Sequence, residues 1–367
     1  EVKALDSRTL QITTRALDLS IPAAGPLAYV LSRKVHQEIG DAGYANRPVG
    51  SGPYELVQFQ PGAVVHYRVR STPHPFRKVE NRELIFRNVV ENSQLRNGLR
   101  TGELDGGLLR NFTGEQAESL RQDGMVVIAY LNTNASMRIP QGVAEAKGSP
   151  LADKRVRQAL NYAINREEMT QSLFRGFNKP TGQGGTPDSQ YWNPELPPWP
   201  YDPQKAKQLL AEAGYPNGFK QDLEYWNFST VINNTALYLQ DQFKRNLNID
   251  IELKPLESAQ FVQKIYKRAP IATIYLGGQG SGTDADSSLV WYWSGNTSFG
   301  KRYDNPEFDR VYLESTRELD PAKRERLLQQ AIAILQEDPP WLGLVTSVDV
   351  SAWSKTVSGF VPRAFEN

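Results

Sequence analysis

The chain has no cysteine and only three histidines and three methionines among its 367 residues. Without cysteine there are no disulfides, no thiol catalysis and no Cys-based zinc or iron–sulfur centre. The same absence suits an oxidising compartment, where stray thiols are avoided, although cytosolic chains can share it. His36, His66 and His74 have no metal-ligand or triad spacing. His66 falls in an alternating strand and His74 sits between two prolines. No stretch approaches the ~18 apolar residues of a membrane helix. Lys plus Arg (42) balance Asp plus Glu (41), a net charge of +1 that leaves no electrostatic footprint for nucleic acid or an anionic membrane. The start, Glu1-Val2-Lys3-Ala4-Leu5-Asp6, lacks the basic and apolar regions of a signal peptide, as a mature exported chain and a cytosolic one both would.

What is present is ordinary folding material: 39% hydrophobic, 10% aromatic and 23% charged residues, with a mean hydropathy of −0.52. At ~100–200 residues per domain the length implies two or three domains.

The first third reads as strand-rich. Tyr54–Phe59 and Val64–Arg70 flank Gln60-Pro61-Gly62-Ala63, a hairpin with a Pro-Gly turn. Asn92 is expected to cap a short helix carrying Leu95 and Leu99, with a strand at Leu104–Leu109 after it. From about Tyr130 helices and strands alternate. Val156, Leu160, Ala163 and Ile164 form one apolar helix face, Asn165 with Glu168 restarts the helix, and Gly176 stops it. Asp202-Pro203, Asn305-Pro306 and Asp320-Pro321 each pair a side-chain acceptor at the N-cap with a proline at the first helical position. Ala206, Leu209, Leu210 and Ala213 give one buried face; Ile232, Ala236, Leu239 and Phe243 give another. Strands at Ile249–Leu253 and Ile271–Leu276 bracket a helix near Phe261–Lys267. This alternation predicts an α/β lobe. The Gly/Pro-rich stretch 178–203 holds Tyr191, Trp192, Trp199 and Tyr201, and is either functional or packed on its own aromatics.

The candidate chemistry is sparse. Gly277-Gly278-Gln279-Gly280-Ser281-Gly282 follows an apolar strand but lacks the Gly-Lys-Ser/Thr ending and the G-x-G-x-x-G spacing of nucleotide loops. A loop bringing backbone close to a ligand or another strand fits better. Asp284 and Asp286, ahead of Trp291-Tyr292-Trp293, read three ways. They are a glycosidase pair, an acidic anchor for a cationic group, or a solvated turn. Tyr225-Trp226-Asn227-Phe228 is the second candidate, with a core role for Trp226 and Phe228 as the alternative. In α/β lobes ligands sit beyond the carboxyl ends of the strands, where both loops fall.

Taken together, several segments resemble the family 5 extracellular solute-binding proteins, the peptide, opine and nickel-type receptors of ABC importers. Val49-Gly50-Ser51-Gly52-Pro53-Tyr54 resembles the family's Gly-Thr-Gly-Pro-Tyr segment. Leu99-Arg100-Thr101-Gly102-Glu103-Leu104-Asp105 is similar to its L-R-x-G-E-x-D stretch. Most specific is Tyr130-Leu131-Asn132-Thr133-Asn134, followed by Asp153-Lys154-Arg155-Val156-Arg157-Gln158-Ala159-Leu160-Asn161-Tyr162-Ala163-Ile164-Asn165-Arg166. The segments Tyr201–Tyr215, Tyr303–Asp309 and Pro339-Pro340-Trp341-Leu342 add to it.

The resemblance implies a two-lobed α/β fold of the periplasmic-binding-protein type (type II, cluster C), with mixed sheets flanked by helices and two hinge strands. Lobe I is expected at 1–131, lobe II at 132–341, and a return to lobe I at 342–367. Residues 1–15 resemble an interior strand of the family, so part of lobe I is expected to be missing, cleaved away or supplied as a separate N-terminal fragment. The implied function is capture of an oligopeptide, opine or similar solute and its delivery to a permease, with no enzymatic step and no cofactor or metal. Nickel is disfavoured because His and Cys ligands are scarce. The implied location is periplasmic or extracellular, with lipid anchoring of the full-length precursor left open. The expected ligand-binding residues are Asn132, Asn134, Trp226, Asn227, Gln279, Asp284 and Asp286. The family's ammonium-binding Asp carries over to Asp284 first and Asp286 second, and Gln279 stands where the family usually has tryptophan. Two rival readings are a carbohydrate hydrolase using Asp284 or Asp286, and a non-transport binding or chaperone module on the same fold.

Overall fold

The computed structural model describes residues 1–14, 17, 31–109, 112–131, 138–140, 148–184, 187, 189–266, 273–276, 288–296, 303–346 and 348–360. They belong to two compact units, Pro26–Leu104 and the combination of Glu1–Gly25 with Asp105–Asn367.

The smaller unit opens with α1 (Arg33–Asn46), interrupted at Gly40 (φ 66). An antiparallel sheet follows, β3 (Tyr54–Gln60), β4 (Val64–Val69) and β5 (Glu83–Arg87), in that order. The Pro61-Gly62 hairpin forms as predicted, with Gly62 at φ 74 and the Ala63 N–H donating to the Gln60 carbonyl at 3.0 Å. The Gly50–Tyr54 motif has a structural use here. Arg70 donates from Nη2 to the Gly50 carbonyl at 2.8 Å and from Nε to the Gly52 carbonyl at 2.9 Å. Helix α2 (Asn92–Thr101) buries Leu95 and Leu99. Its N-cap is Glu91, without a side-chain bond, and not Asn92. Gly102, at φ 75, ends it in the left-handed conformation only glycine takes freely, and Leu104 turns back to bond the Gly98 carbonyl at 3.0 Å. The L-R-x-G-E-x-D stretch is therefore a helix stop.

In the larger unit a short exposed hairpin pairs β1 (Val2–Ala4) with β2 (Leu10–Ile12). Strand β13 (Val348–Trp353) lies between β6 (Gly106–Leu109) and β7 (Val126–Leu131), antiparallel to both. Helix α3 (Gly114–Gln122) packs on β7 and β13 and opens with a full capping box between Thr113 and Gln116.

Beyond β7 the chain builds an α/β body. Helices α4 (Lys154–Tyr162), α5 (Arg166–Phe174) and α6 (Pro203–Glu212) precede a parallel sheet. Strand β9 (Lys220–Trp226) is central, flanked by β10 (Asp250–Leu256) and β11 (Ile274–Leu276). Helix α7 (Thr230–Leu247) connects β9 to β10, and α8 (Ser258–Tyr266) follows β10. Leu223, Ile251, Ile274 and Leu276 face the core shared with α4, α5, α6 and α7, where Val156, Leu160, Ala163 and Ile164 are fully buried. Two further helices, α9 (Pro306–Ser315) and α10 (Pro321–Glu337), close a second, aromatic core around Tyr292, Tyr303, Phe308 and Trp341. All three predicted acceptor–proline starts are N-caps, Asp202, Asn305 and Asp320.

The chain passes twice between the β6–β13–β7 sheet and this body. Strand β8 (Arg138–Pro140), reached from β7, pairs with β12 (Trp341–Gly343), which leads to β13. The loop 178–203 is held by buried Gln183, whose side-chain amide donates to the Asn193 carbonyl at 2.7 Å and accepts from the Asn193 N–H at 3.0 Å. Tyr191 is buried in it and its hydroxyl meets Ser288 Oγ at 2.8 Å. Its buried aromatics pack on other parts of the body, Tyr191 in the core around Tyr292 and Trp341 and Trp199 edge-on to Tyr162.

Candidate solute site at the carboxyl ends of the sheet

Three strands end on the same edge: β9 at Trp226, β10 at Leu256 and β11 at Leu276. Parallel pairing sets Tyr225 beside Leu276 and Trp226 beside Leu256, so the carboxyl ends of the three strands lie together. The sheet alternates in this region. Residues 223 and 225 look toward the α7 core, while Glu224 and Trp226 look toward α8.

Trp226 is half-buried. It stacks on Phe261 of α8 at 5.0 Å and 13°, and meets Phe228 at 4.1 Å. Its indole N–H donates to Ser258 Oγ at 2.9 Å. Phe261 and Tyr275 lie beneath it, buried. The core reading of Trp226 thus holds for one ring face, while Phe228, 40% exposed, forms the outer rim. Asn227 is exposed, with its N–H on the Leu256 carbonyl at 3.0 Å, which ties the first turn to the second. Asn132, Asn134, Gln279, Asp284 and Asp286 lie outside the described residues. Just before the first pair, Tyr130, one residue from the end of β7, stands directly opposite Asp349 of β13. Burial, then the Asp349 charge, pushes its phenol above the usual range.

A cavity of about 950 Å³ lies on the α8 side of the sheet, lined by Lys220, Asp222, Glu224, Asp250, Glu252 and Lys264 among others. It starts at the amino ends of β9 and β10, and much of its lining is paired internally, Lys264 with Glu224 and Lys244 with Asp250. The aromatic rim at the carboxyl ends, with Asn227 and Phe228 exposed, is the second candidate. Among the described residues no cluster of three or more His, Asp or Glu is placed to hold a metal ion.

The most specific motif, Asp153–Arg166, turns out to be a structural node. Arg157, 2% exposed, donates to the carbonyls of Leu151 (2.8 Å), Ala152 (2.9 Å) and Pro339 (2.9 Å), and pairs with Asp338. Tyr303 donates its hydroxyl to the other Asp338 oxygen at 3.0 Å, and Asn305 adds a bond at 3.2 Å. Asn161 bonds the Trp341 carbonyl and the Gly343 N–H. Arg166 spends its guanidinium on Asn161, on carbonyls at the end of α4, and on Gly343. Burial lowers its pKa to about 9. Asn178 and Lys179 grip Thr346. Sequence reasoning missed this network because its partners are some 170–180 residues away. The available signal was Arg157 and Asn161, polar residues at i and i+4 beside the apolar stripe of α4.

Residues 1–300 match the family model of the bacterial extracellular solute-binding proteins, family 5 (middle region). The chain belongs to that family, whose members are receptors for solutes taken up by ABC importers, and it has the two-lobed periplasmic-binding-protein fold. The glutathione-binding protein GsiB of Pectobacterium atrosepticum is 28% identical over 382 residues, spanning 98% of this chain and 71% of the relative. The substrate-binding protein CtaP of Listeria monocytogenes superposes with a TM-score of 0.84 at 21% identity, over 96% of this chain and 72% of that one. DppA of Helicobacter pylori, solved with the peptide STSA, gives 0.76 at 21% identity, over 98% and 70%. No helix among the described residues is long and apolar enough to cross a membrane.

Proposed function

We propose that this receptor captures a peptide or peptide-like solute outside the cytoplasmic membrane and delivers it to the permease of an ABC importer. The observation that carries this reading is the carboxyl-end rim, where Trp226, Phe228 and Asn227 stand beside the exit of β11. A half-exposed aromatic wall with a free amide suits the alternating apolar and amide surface of a peptide. Relatives named for glutathione and crystallised with a tetrapeptide support the same class.

In this reading one lobe begins at 132 and runs past 341 to about Thr346, whose neighbours Leu342, Leu344 and Val345 pack in the α/β core, and 1–131 with the segment after Thr346 contributes the other. Asn132 and Asn134 follow the first crossing, and Gln279, Asp284 and Asp286 follow β11. The bonds that hold Gly343 and Thr346 to the α/β body favour a second crossing after Thr346. Closing the lobes adds contacts and expels water, so affinity depends on how fully the solute fills the space. No bond is made or broken.

Calorimetric titration with di- to tetrapeptides, opines and glycosides tests it. Peptides are expected to bind 1:1 and stabilise the fold by about 2.7 kcal/mol at a hundredfold excess over Kd. Binding confined to glycosides, with turnover lost in Asp284→Asn, would favour the hydrolase instead.

A further inference from the structure

Phe177 touches two parts of the molecule at once. It follows α5 of the α/β body, where its N–H donates to the Phe174 carbonyl at 3.0 Å. Its ring meets Phe112 edge-on at 5.7 Å and 85°, and the Arg121 guanidinium lies over it, 4.7 Å from the ring centre. Phe112 and Arg121 stand at the entry and in the last turn of α3, the helix that packs on β7 and β13. Gly114, the first residue of α3, lies against the end of α5. A Cβ there would stand 2.5 Å from the Phe174 carbonyl carbon and 2.6 Å from its oxygen, so the two helices meet at the backbone.

The same segment holds the second crossing. Buried Asn178 donates its side-chain amide to the Thr346 carbonyl. The Lys179 carbonyl accepts the Thr346 N–H at 2.7 Å, and the Lys179 N–H donates to Thr346 Oγ1 at 3.0 Å. Residues 177–179 thus grip both the strand that leaves the body and the helix on which the β6–β13–β7 sheet rests. None of them belongs to the aromatic rim around Trp226, so the contact bears on orientation and not on the solute itself.

Building on the two-lobe, peptide-capturing reading above, we infer that the α3–α5 contact is an interlobe latch, with Phe177 as its positioning residue. It limits how the β6–β13–β7 sheet turns about the crossings, and so preorganises the lobes for closure on a solute. Lobes that wander give up that freedom on binding, and apparent affinity falls with the fraction of molecules that are aligned. One aromatic pair and one partly exposed cation–π contact shift that fraction by about fivefold or more.

The chain has no cysteine, so Lys207→Cys in α6 and Lys355→Cys after β13, both exposed positions, accept one pair of spin labels. Pulsed dipolar spectroscopy reads the distance between them, free and with Ala-Ala-Ala, and calorimetry reads Kd. Phe177→Ala is expected to broaden the free distribution, leave the bound one unchanged and weaken Ala-Ala-Ala about fivefold. Arg121→Ala, at a side chain 47% exposed, should act in the same direction without disturbing the fold. Phe177→Tyr, which keeps the ring, should restore both readouts. A lower melting temperature with unchanged width and Kd would make Phe177 merely structural and overturn the latch. Tighter binding in Phe177→Ala would overturn it too, since the contact would then hold the lobes away from the bound orientation. If no member of a di- to tetrapeptide series binds the parent, the peptide reading fails, while the free-state widths still decide the latch.

Discussion

Arg157 and Asp338, 181 residues apart in the chain, form one ion pair at the seam between α4 and the end of α10. The arginine is buried and the aspartate is largely covered, so each needs the other to offset its desolvation. Tyr303 and Asn305 complete the aspartate's shell. The pair holds the start of β12, which carries the chain toward β13.

Removing one partner leaves a buried charge uncompensated. Asp338→Asn is expected to cost about 3 kcal/mol in urea unfolding. Adding Arg157→Met should cost less than the sum of the two single changes. Additive losses would mean that the pair is not coupled.

Asp153 gives a pH dependence. It caps α4, accepting the Arg155 N–H at 2.8 Å, and its carboxylate is also bonded by the Arg155 guanidinium. That side-chain bond holds its pKa below the ordinary 3.8. A depressed folded-state pKa stabilises fully above the ordinary value and is lost as pH falls through the folded one. Asn keeps the cap without the charge. Wild type should therefore exceed Asp153→Asn in stability at pH 6, by up to about 1 kcal/mol, and the gap should close toward pH 2.5. A gap that persists in acid would contradict this.

Gly343 is required by contact. A Cβ there would sit 2.7 Å from the Thr181 carbonyl oxygen and 2.9 Å from Gly182 Cα, both backbone atoms. Gly343→Ala should cost roughly 1–3 kcal/mol through overpacking, read as a lower unfolding midpoint with an unchanged m-value. No shift in midpoint would show that the two segments can separate freely.

At the rim the two neighbours should respond differently. Asn227→Ala, at an exposed position, should leave stability within about 0.5 kcal/mol while weakening peptide binding roughly tenfold. Trp226→Ala should lower both, because one ring face packs on Phe261. Unchanged affinity in Asn227→Ala would remove it from the site.

Local chemistry was the legible part of this fold. Asp202-Pro203, Asn305-Pro306 and Asp320-Pro321 each begin a helix because cap and proline act within one turn. Strand β10 followed from the alternation of Ile249, Ile251 and Leu253, and β11 from an apolar run of which Ile274–Leu276 are described. Asn92 misled by one residue, since Asn is a good cap and the backbone turns at Glu91 instead. The carboxyl-end position of Trp226 and Asn227 was readable from topology, and the stacking of Trp226 on Phe261 was not. Least legible was the Arg157–Asp338–Tyr303 network, whose partners are set by tertiary packing and leave no short-range pattern.

The central claim is that a peptide binds this chain and leaves it unchanged. Native mass spectrometry of the protein after incubation with a defined mixture of di- to tetrapeptides tests it most directly. The account predicts a 1:1 complex that releases intact peptide on denaturation. Bare protein alone, or peptides recovered cleaved, would contradict it.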